Sequence, residues 1–152
     1  MKTPQRFYVS LKAVVAHENN ILLVQLHSGF WELPGGRIDE GEESILVDTV
    51  LARELYEEIG ASVTVRFGPL LRTFIAKYTD GVHGLMVERL CWYEGGEIVL
   101  SHEHKAYQWV DRESWKGLEF MEWYGNGYWK ALETIWAHPL LKDQPPAALM
   151  SV

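Results

Sequence analysis

Glu54, Glu57 and Glu58 are the residues in this chain best spaced to do chemistry. They stand in the run Arg53-Glu-Leu-Tyr-Glu-Glu-Ile-Gly60, which reads as a helix. On that helix Glu57 falls about 60° behind Glu54 and Glu58 about 40° ahead, so the three share an arc of roughly 100°. Like charges at this spacing repel. A solvated acidic face would tolerate that, and so would a site that uses the charges. Carboxylate-rich sites suit Mg²⁺ or Mn²⁺, which keep positions open for water and phosphate oxygens. Leu51, Leu55 and Ile59 form an i, i+4 stripe, read as burying the face away from the acids. Gly60 is a natural stop, free to adopt a left-handed cap. At loop distance upstream lies Trp31-Glu-Leu-Pro-Gly-Gly36, whose glycines allow a close backbone approach.

This combination resembles the signature of the Nudix hydrolases. Their box runs Gly, five residues, Glu, seven residues, then Arg-Glu-aliphatic-x-Glu-Glu-x-Gly-aliphatic. Gly36, Glu42, Arg53, Glu54, Leu55, Glu57, Glu58 and Gly60 match it, with Ala61 as a small final residue. The chain departs at one point: ten residues, not seven, separate Glu42 from Arg53. The extra residues are placed most simply in residues 43–47, as a longer loop or almost one more helical turn. That leaves the role of Glu42 open, with Glu43 as its substitute. A second segment, Glu103-His-Lys-Ala-Tyr-Gln-Trp109, resembles the loop from which many Nudix hydrolases bring a Glu into the site.

The resemblance implies an α/β fold, an α/β/α sandwich around a mixed central sheet. It implies Mg²⁺ or Mn²⁺ on Glu54, Glu57, Glu58 and the carbonyl of Gly35, with Glu103 as a further ligand or as the base. Glu54 or Glu103 would take the proton from water, and Arg53 would fix a neighbouring Glu by a bidentate pair. The expected substrate is a small-molecule nucleotide cleaved at a P–O–P bond. A nucleoside triphosphate or dinucleoside polyphosphate is favoured; ADP-ribose or another nucleotide sugar is the wider choice. Gly36 and Trp31 are candidates for touching it, Trp31 by stacking or merely by packing. A nucleotide-binding sensor without turnover is the rival reading; it predicts loss of a core carboxylate, and none is lost here.

The flanking sequence supplies the elements to carry these residues. Residues 7–16 and 21–26 read as paired strands across the Glu18-Asn-Asn20 turn. Residues 62–65 and 70–78 read as strands broken by Gly68-Pro69, then Asp80-Gly81 turns the chain into a strand over 82–93. Glu88, inside that strand, is a remote candidate for an extra ligand. Asp111 is a plausible N-cap for a short helix through Lys116. Residues 119–138 read as a terminal helical region, kinked at Gly125-Asn-Gly127, whose aromatics pack on the sheet or form a homodimer surface. Residues 139–152 read as an irregular tail.

Composition sets the outer bounds. The chain has 152 residues, 47% hydrophobic and 23% charged, fitting one Nudix-like domain over 1–152. Its net charge of −7 argues against a general nucleic-acid or membrane surface. The lone Cys91 makes no internal disulfide, and with no signal peptide or long apolar run a cytoplasmic setting is expected. His102 and His104 have no second cluster at zinc spacing.

Overall fold

A computed structural model describes residues 1–78, 81–120 and 128–142. The elements run β1 (Tyr8–His17), β2 (Asn20–Leu26), β3 (Trp31–Glu32), β4 (Gly35–Arg37), α1 (Val47–Ile59), β5 (Thr64–Lys77), β6 (His83–Gly95) and β7 (His104–Val110). A 3₁₀ turn (Ser114–Gly117), α2 (Tyr128–Ala137) and α3 (Pro139–Lys142) follow. The sheet is mixed, in the order β3-β2-β1-β6-β5, with β4 added to β1 and β7 to β2. β1 runs parallel to β6 from the Tyr8–Gly84 pair to Ala16–Trp92. It runs antiparallel to β4 through Leu11–Gly36 and Lys12–Gly35.

Both faces of this sheet are covered, which is why β1 is apolar on both sides over Ala13–Ala16. Leu11, Ala13 and Val15 pack with Val50, Leu51, Leu55 and Ile59 of α1. Val14 and Ala16 point the other way, into a cluster with Trp115, Ile135, Trp136 and Leu141. Each fully buried Leu or Ile on α1 contributes roughly 1.5–3 kcal/mol.

The acids of α1 do not lie opposite this stripe, as the sequence suggested; they adjoin it. Measured from Leu51, Glu58 is about 20° round the helix, Glu54 about 60° and Glu57 about 120°. Exposure follows the angle: Glu58 and Glu54 are buried, and Glu57 is exposed. The helix starts at Val47, and residues 43–46 form turns. Gly60 has φ +111°, ψ 151°, outside the left-handed cap region that was expected. The last helical carbonyls are satisfied from elsewhere: Val99 N–H donates to Ile59 (2.9 Å) and Ser101 N–H to Glu58 (3.2 Å). These bonds tie the loop before Glu103 to the end of α1.

Three other expectations need correction. Gly68-Pro69 does not break the strand; β5 continues through a register shift between Phe67 and Leu70. A Cβ on Gly68 would come within 2.6 Å of the Trp92 ring. Asp111 is not the helix N-cap but closes the preceding turn, its Oδ1 accepting the N–H groups of Glu113 and Ser114. Residues 139–142 are helical, with Leu141 buried. Asp80, the Gly125–Gly127 kink and residues 143–152 lie outside the described residues. No described helix is long and apolar enough to cross a membrane.

Glu88 is a structural partner and not part of the acidic site. It is fully buried and takes a two-pronged ion pair from Arg72, Nε to Oε2 at 2.5 Å and Nη2 to Oε1 at 2.9 Å. Burial pushes its carboxyl above the ordinary value, and Arg72 opposes that. Arg72→Ala is therefore expected to lower stability by about 3–5 kcal/mol, because it strands a buried carboxylate. Urea denaturation checks this, and the double variant Arg72→Met, Glu88→Met is expected to recover most of the loss.

Candidate active site

The site is built on β4, where two glycines let α1 come close. Gly35 has φ +129°, and a Cβ there would lie 2.1 Å from the Leu11 carbonyl oxygen, so only glycine fits. Its N–H donates to Glu58 Oε2 at 2.8 Å. Gly36 faces Glu54: a Cβ would fall 2.3–2.5 Å from the three atoms of that carboxylate. Gly36 also lines a cavity of about 140 Å³ with Ser10, Lys12, Glu32, Arg37, Tyr78 and Met86. Arg37 is held between aromatic rings, 4.7 Å from the Tyr8 centroid and 5.3 Å from that of Tyr78.

Two cations divide the acids between them. On the outer side Arg53 grips Glu42 with two bonds, 2.8 and 3.1 Å, and reaches Glu54 at 2.9 Å and Glu57 at 3.0 Å. Glu42, not Glu43, fills this place, and its carboxyl is held below the ordinary value by Arg53 and by the Asp39 N–H. On the inner side lies Lys12, buried on β1. Its Nζ donates to the carbonyls of Leu33 and Gly35, both at 3.2 Å, and pairs with Glu32 at 3.4 Å. Burial disfavours its charge, but Glu32 and Glu58 outweigh that and hold the ammonium protonated. The Gly35 carbonyl is thus engaged by an ammonium.

The three carboxylates of α1 do not meet at one point. Glu54 and Glu57 are turned to Arg53, while Glu58 belongs to a second group. One oxygen each of Glu58 and Glu103 and one ring nitrogen of His104 lie within 4.8 Å of one another. Glu103 is exposed at the end of the loop anchored to α1. His27 steadies that loop: its Nε2 lies 2.6 Å from the His102 carbonyl, which only accepts, so Nε2 carries the proton. His104 is buried and its Nε2 faces Glu32 Oε1 at 3.4 Å. Carboxylates and an imidazole at this separation fit a divalent ion after small side-chain movements. Trp31 does not line the cavity. It is half-buried against the cluster containing Trp115, and its N–H donates to the Glu119 carbonyl.

Lys12 and Glu32 are the site residues that the sequence reading missed, and His104 is read there only as lacking a zinc cluster. The one local sign was Lys12, an isolated charge in the apolar run Leu11-Lys-Ala-Val-Val15.

With this geometry in view, the relationship to known proteins is direct. The NUDIX domain pattern matches residues 8–130, and the chain belongs to the Nudix family. A protein of Proteus vulgaris named 8-oxo-dGTP diphosphatase is 35% identical over 69 residues, 42% of this chain and 59% of that one. A MutT-like protein of Streptomyces ambofaciens is 33% identical over 110 residues, 71% of this chain and 66% of that one. The matches span less than two thirds of either relative's length. The crystal structure of a MutT protein from Methanosarcina mazei Go1 has a TM-score of 0.70 at 22% identity, covering 90% of this chain and 96% of that one. The mixed sheet with flanking helices is the Nudix fold.

Burial raises the Glu58 carboxyl to about 7, partly offset by Lys12 and the Gly35 N–H. The folded protein therefore holds this proton more tightly than the unfolded chain does. The resulting stabilisation is complete below the unfolded value of 4.5 and is lost as pH rises through about 7. In EDTA, Glu58 is expected to take roughly 2–3 kcal/mol from stability between pH 5 and pH 8. Denaturant titrations of wild type and Glu58→Gln at several pH values check this; the variant should lose that part of the slope.

Proposed function

We propose that this protein is a metal-dependent pyrophosphohydrolase that splits the P–O–P bond of a nucleotide by attack of water on phosphorus. A nucleoside triphosphate is the favoured substrate, with dinucleoside polyphosphates next and nucleotide sugars such as ADP-ribose third. The name of the Proteus vulgaris relative, a diphosphatase of a nucleoside triphosphate, supports that order. The observation that carries the reading is the docking of Glu58 on Gly35 and Glu54 on Gly36, at the wall of a cavity that also carries Lys12 and Arg37. Lys12 and Arg37 on the cavity wall beside the buried acids suit an anionic chain held across the pair of glycines.

The roles follow from the surroundings. Glu58 and Glu103 are the carboxylates placed to hold a divalent ion, Mg²⁺ or Mn²⁺, with the Gly35 carbonyl in reach if Lys12 releases it. When bound, the ion neutralises phosphate charge and lowers the pKa of a bound water. Glu54 is the general base: burial raises its carboxyl, against the pull of Arg53, toward the range where a base works best. It takes the proton of the attacking water. The water oxygen bonds to phosphorus, the P–O bond to the bridging oxygen breaks, and that oxygen leaves on the second phosphate fragment. A nucleoside triphosphate would yield a monophosphate and pyrophosphate. Lys12 and Arg37 attract the substrate's phosphates, and Arg53 positions Glu54 while keeping Glu57 off the reacting group. Glu57 is the acid that Arg53 turns outward, so it serves as a ligand only when it lets go of Arg53.

The test is a panel of nucleotides with Mg²⁺ and then EDTA, read by product mass. Metal-dependent release of a nucleoside monophosphate is expected; tight nucleotide binding without release would make the protein a sensor. Glu54→Gln is expected to lower kcat by about 10²-fold or more with little change in KM. A near-native kcat in that variant would remove Glu54 from the chemistry.

A further inference from the structure

We infer that His104 is a ligand of the ion held by Glu58 and Glu103, and that this nitrogen makes the site favour a transition ion such as Mn²⁺ or Co²⁺ over Mg²⁺. The inference rests on the reading of Glu58 and Glu103 as metal carboxylates, and it adds a donor of a different kind.

Position comes first. His104 opens β7 directly after Glu103, and one of its ring nitrogens lies within 4.8 Å of an oxygen of each glutamate. Three donors evenly spread on one ion with bonds of ~2.1 Å lie about 3.6 Å apart, and at adjacent octahedral positions about 3 Å. The widest separation therefore has to close by about 1–2 Å. Glu103, exposed on its loop, is free to make that movement.

The state of the ring is an independent observation. The His104 side chain is 1% exposed. Its Nδ1 is buried and has no hydrogen-bond partner among the described residues. A buried polar atom left without a partner costs about 1–3 kcal/mol, so such atoms are uncommon unless something binds them. Its other nitrogen, Nε2, faces Glu32 Oε1, and Glu32 is in turn paired with Lys12. A carboxylate behind an imidazole fixes the tautomer with the proton on the near nitrogen and leaves the far one as a bare lone pair. Here the near nitrogen is Nε2, which leaves Nδ1 as the donor that the inference requires. Lys12, Glu32 and His104 thus form a relay of contacts that orients a ligand.

Chemistry then separates the candidate ions. Mg²⁺ takes oxygen donors and holds its water, whereas affinity for a nitrogen donor rises along the first row, modestly at Mn²⁺ and further at Co²⁺. A carboxylate–carboxylate–imidazole set therefore raises affinity for Mn²⁺ or Co²⁺ relative to an all-oxygen site.

The experiment uses the full protein loaded with Mn²⁺, made once with natural histidine and once with ¹⁵N-histidine. Electron spin-echo modulation reads nitrogen bound to the manganese directly. A histidine nitrogen coupling that changes with the label is expected, lost in His104→Gln and kept in His102→Gln. Titration calorimetry should show Mn²⁺ binding roughly tenfold or more tighter than Mg²⁺ in the wild type, narrowing toward parity in His104→Gln. Manganese bound without any histidine coupling, or with a coupling that disappears in His102→Gln and not in His104→Gln, overturns the inference. The wild-type spectrum decides the matter even if His104→Gln fails to fold. Metal-dependent hydrolysis without histidine coupling would sink the nitrogen ligand and leave the hydrolase reading standing; histidine coupling without hydrolysis would do the reverse.

Discussion

The contact on which the rest depends is the docking of α1's two buried carboxylates against the glycines of β4. Gly35 must pass under the Leu11 carbonyl and Gly36 must leave room for the head of Glu54. Neither is possible with a side chain. Because β4 pairs with β1 at these residues, the central sheet itself sets where the carboxylates end. A buried carboxylate needs hydrogen bonds or a counter-charge to offset lost hydration. The Gly35 N–H supplies the first for Glu58, and Lys12 supplies the second from the neighbouring strand.

The same contact explains how so many acids coexist. Asp39, Glu42, Glu54 and Glu57 gather round Arg53 on the outer side. Glu32 and Glu58 share Lys12 on the inner side. Each cation prevents a repulsion that would otherwise open the helix away from the loop. The loop before Glu103 joins this frame through the carbonyls at the end of α1, so a residue far away in sequence arrives beside Glu58. Helix capping and site assembly are here one set of hydrogen bonds.

Sequence alone reached the parts written in local spacing. The Leu51-Leu55-Ile59 stripe, the acids next to it and the glycine pair upstream are all readable within about thirty residues, and strand positions follow from apolar runs. Glu103 was legible through its resemblance to a known loop. What escaped depends on pairings across the sheet. Lys12 meets the Gly35 carbonyl because β1 pairs with β4, and Glu32 reaches it from the end of β3; no local pattern states either contact. His104 shows no zinc-type cluster in the sequence, because its companions are oxygens from α1 and the adjacent Glu103. Glu88 looked available only because Arg72, its partner, sits on another strand. The placement of the acids opposite the apolar stripe erred because a wide arc was treated as separate from its neighbour. Gly60 leaves the left-handed cap region because tertiary hydrogen bonds satisfy the helix end, and Asp111 spends its carboxylate on the local turn before the 3₁₀ helix.

The most direct test of this account is the turnover of Gly36→Ala on the best nucleotide of the panel, with the melting temperature measured alongside. The atoms nearest the added methyl are the flexible end of Glu54, so the fold should survive with a shift of a few degrees while kcat falls about a hundredfold. Wild-type turnover in a folded Gly36→Ala protein would contradict the account, because the chemistry would then not need Glu54 seated against β4.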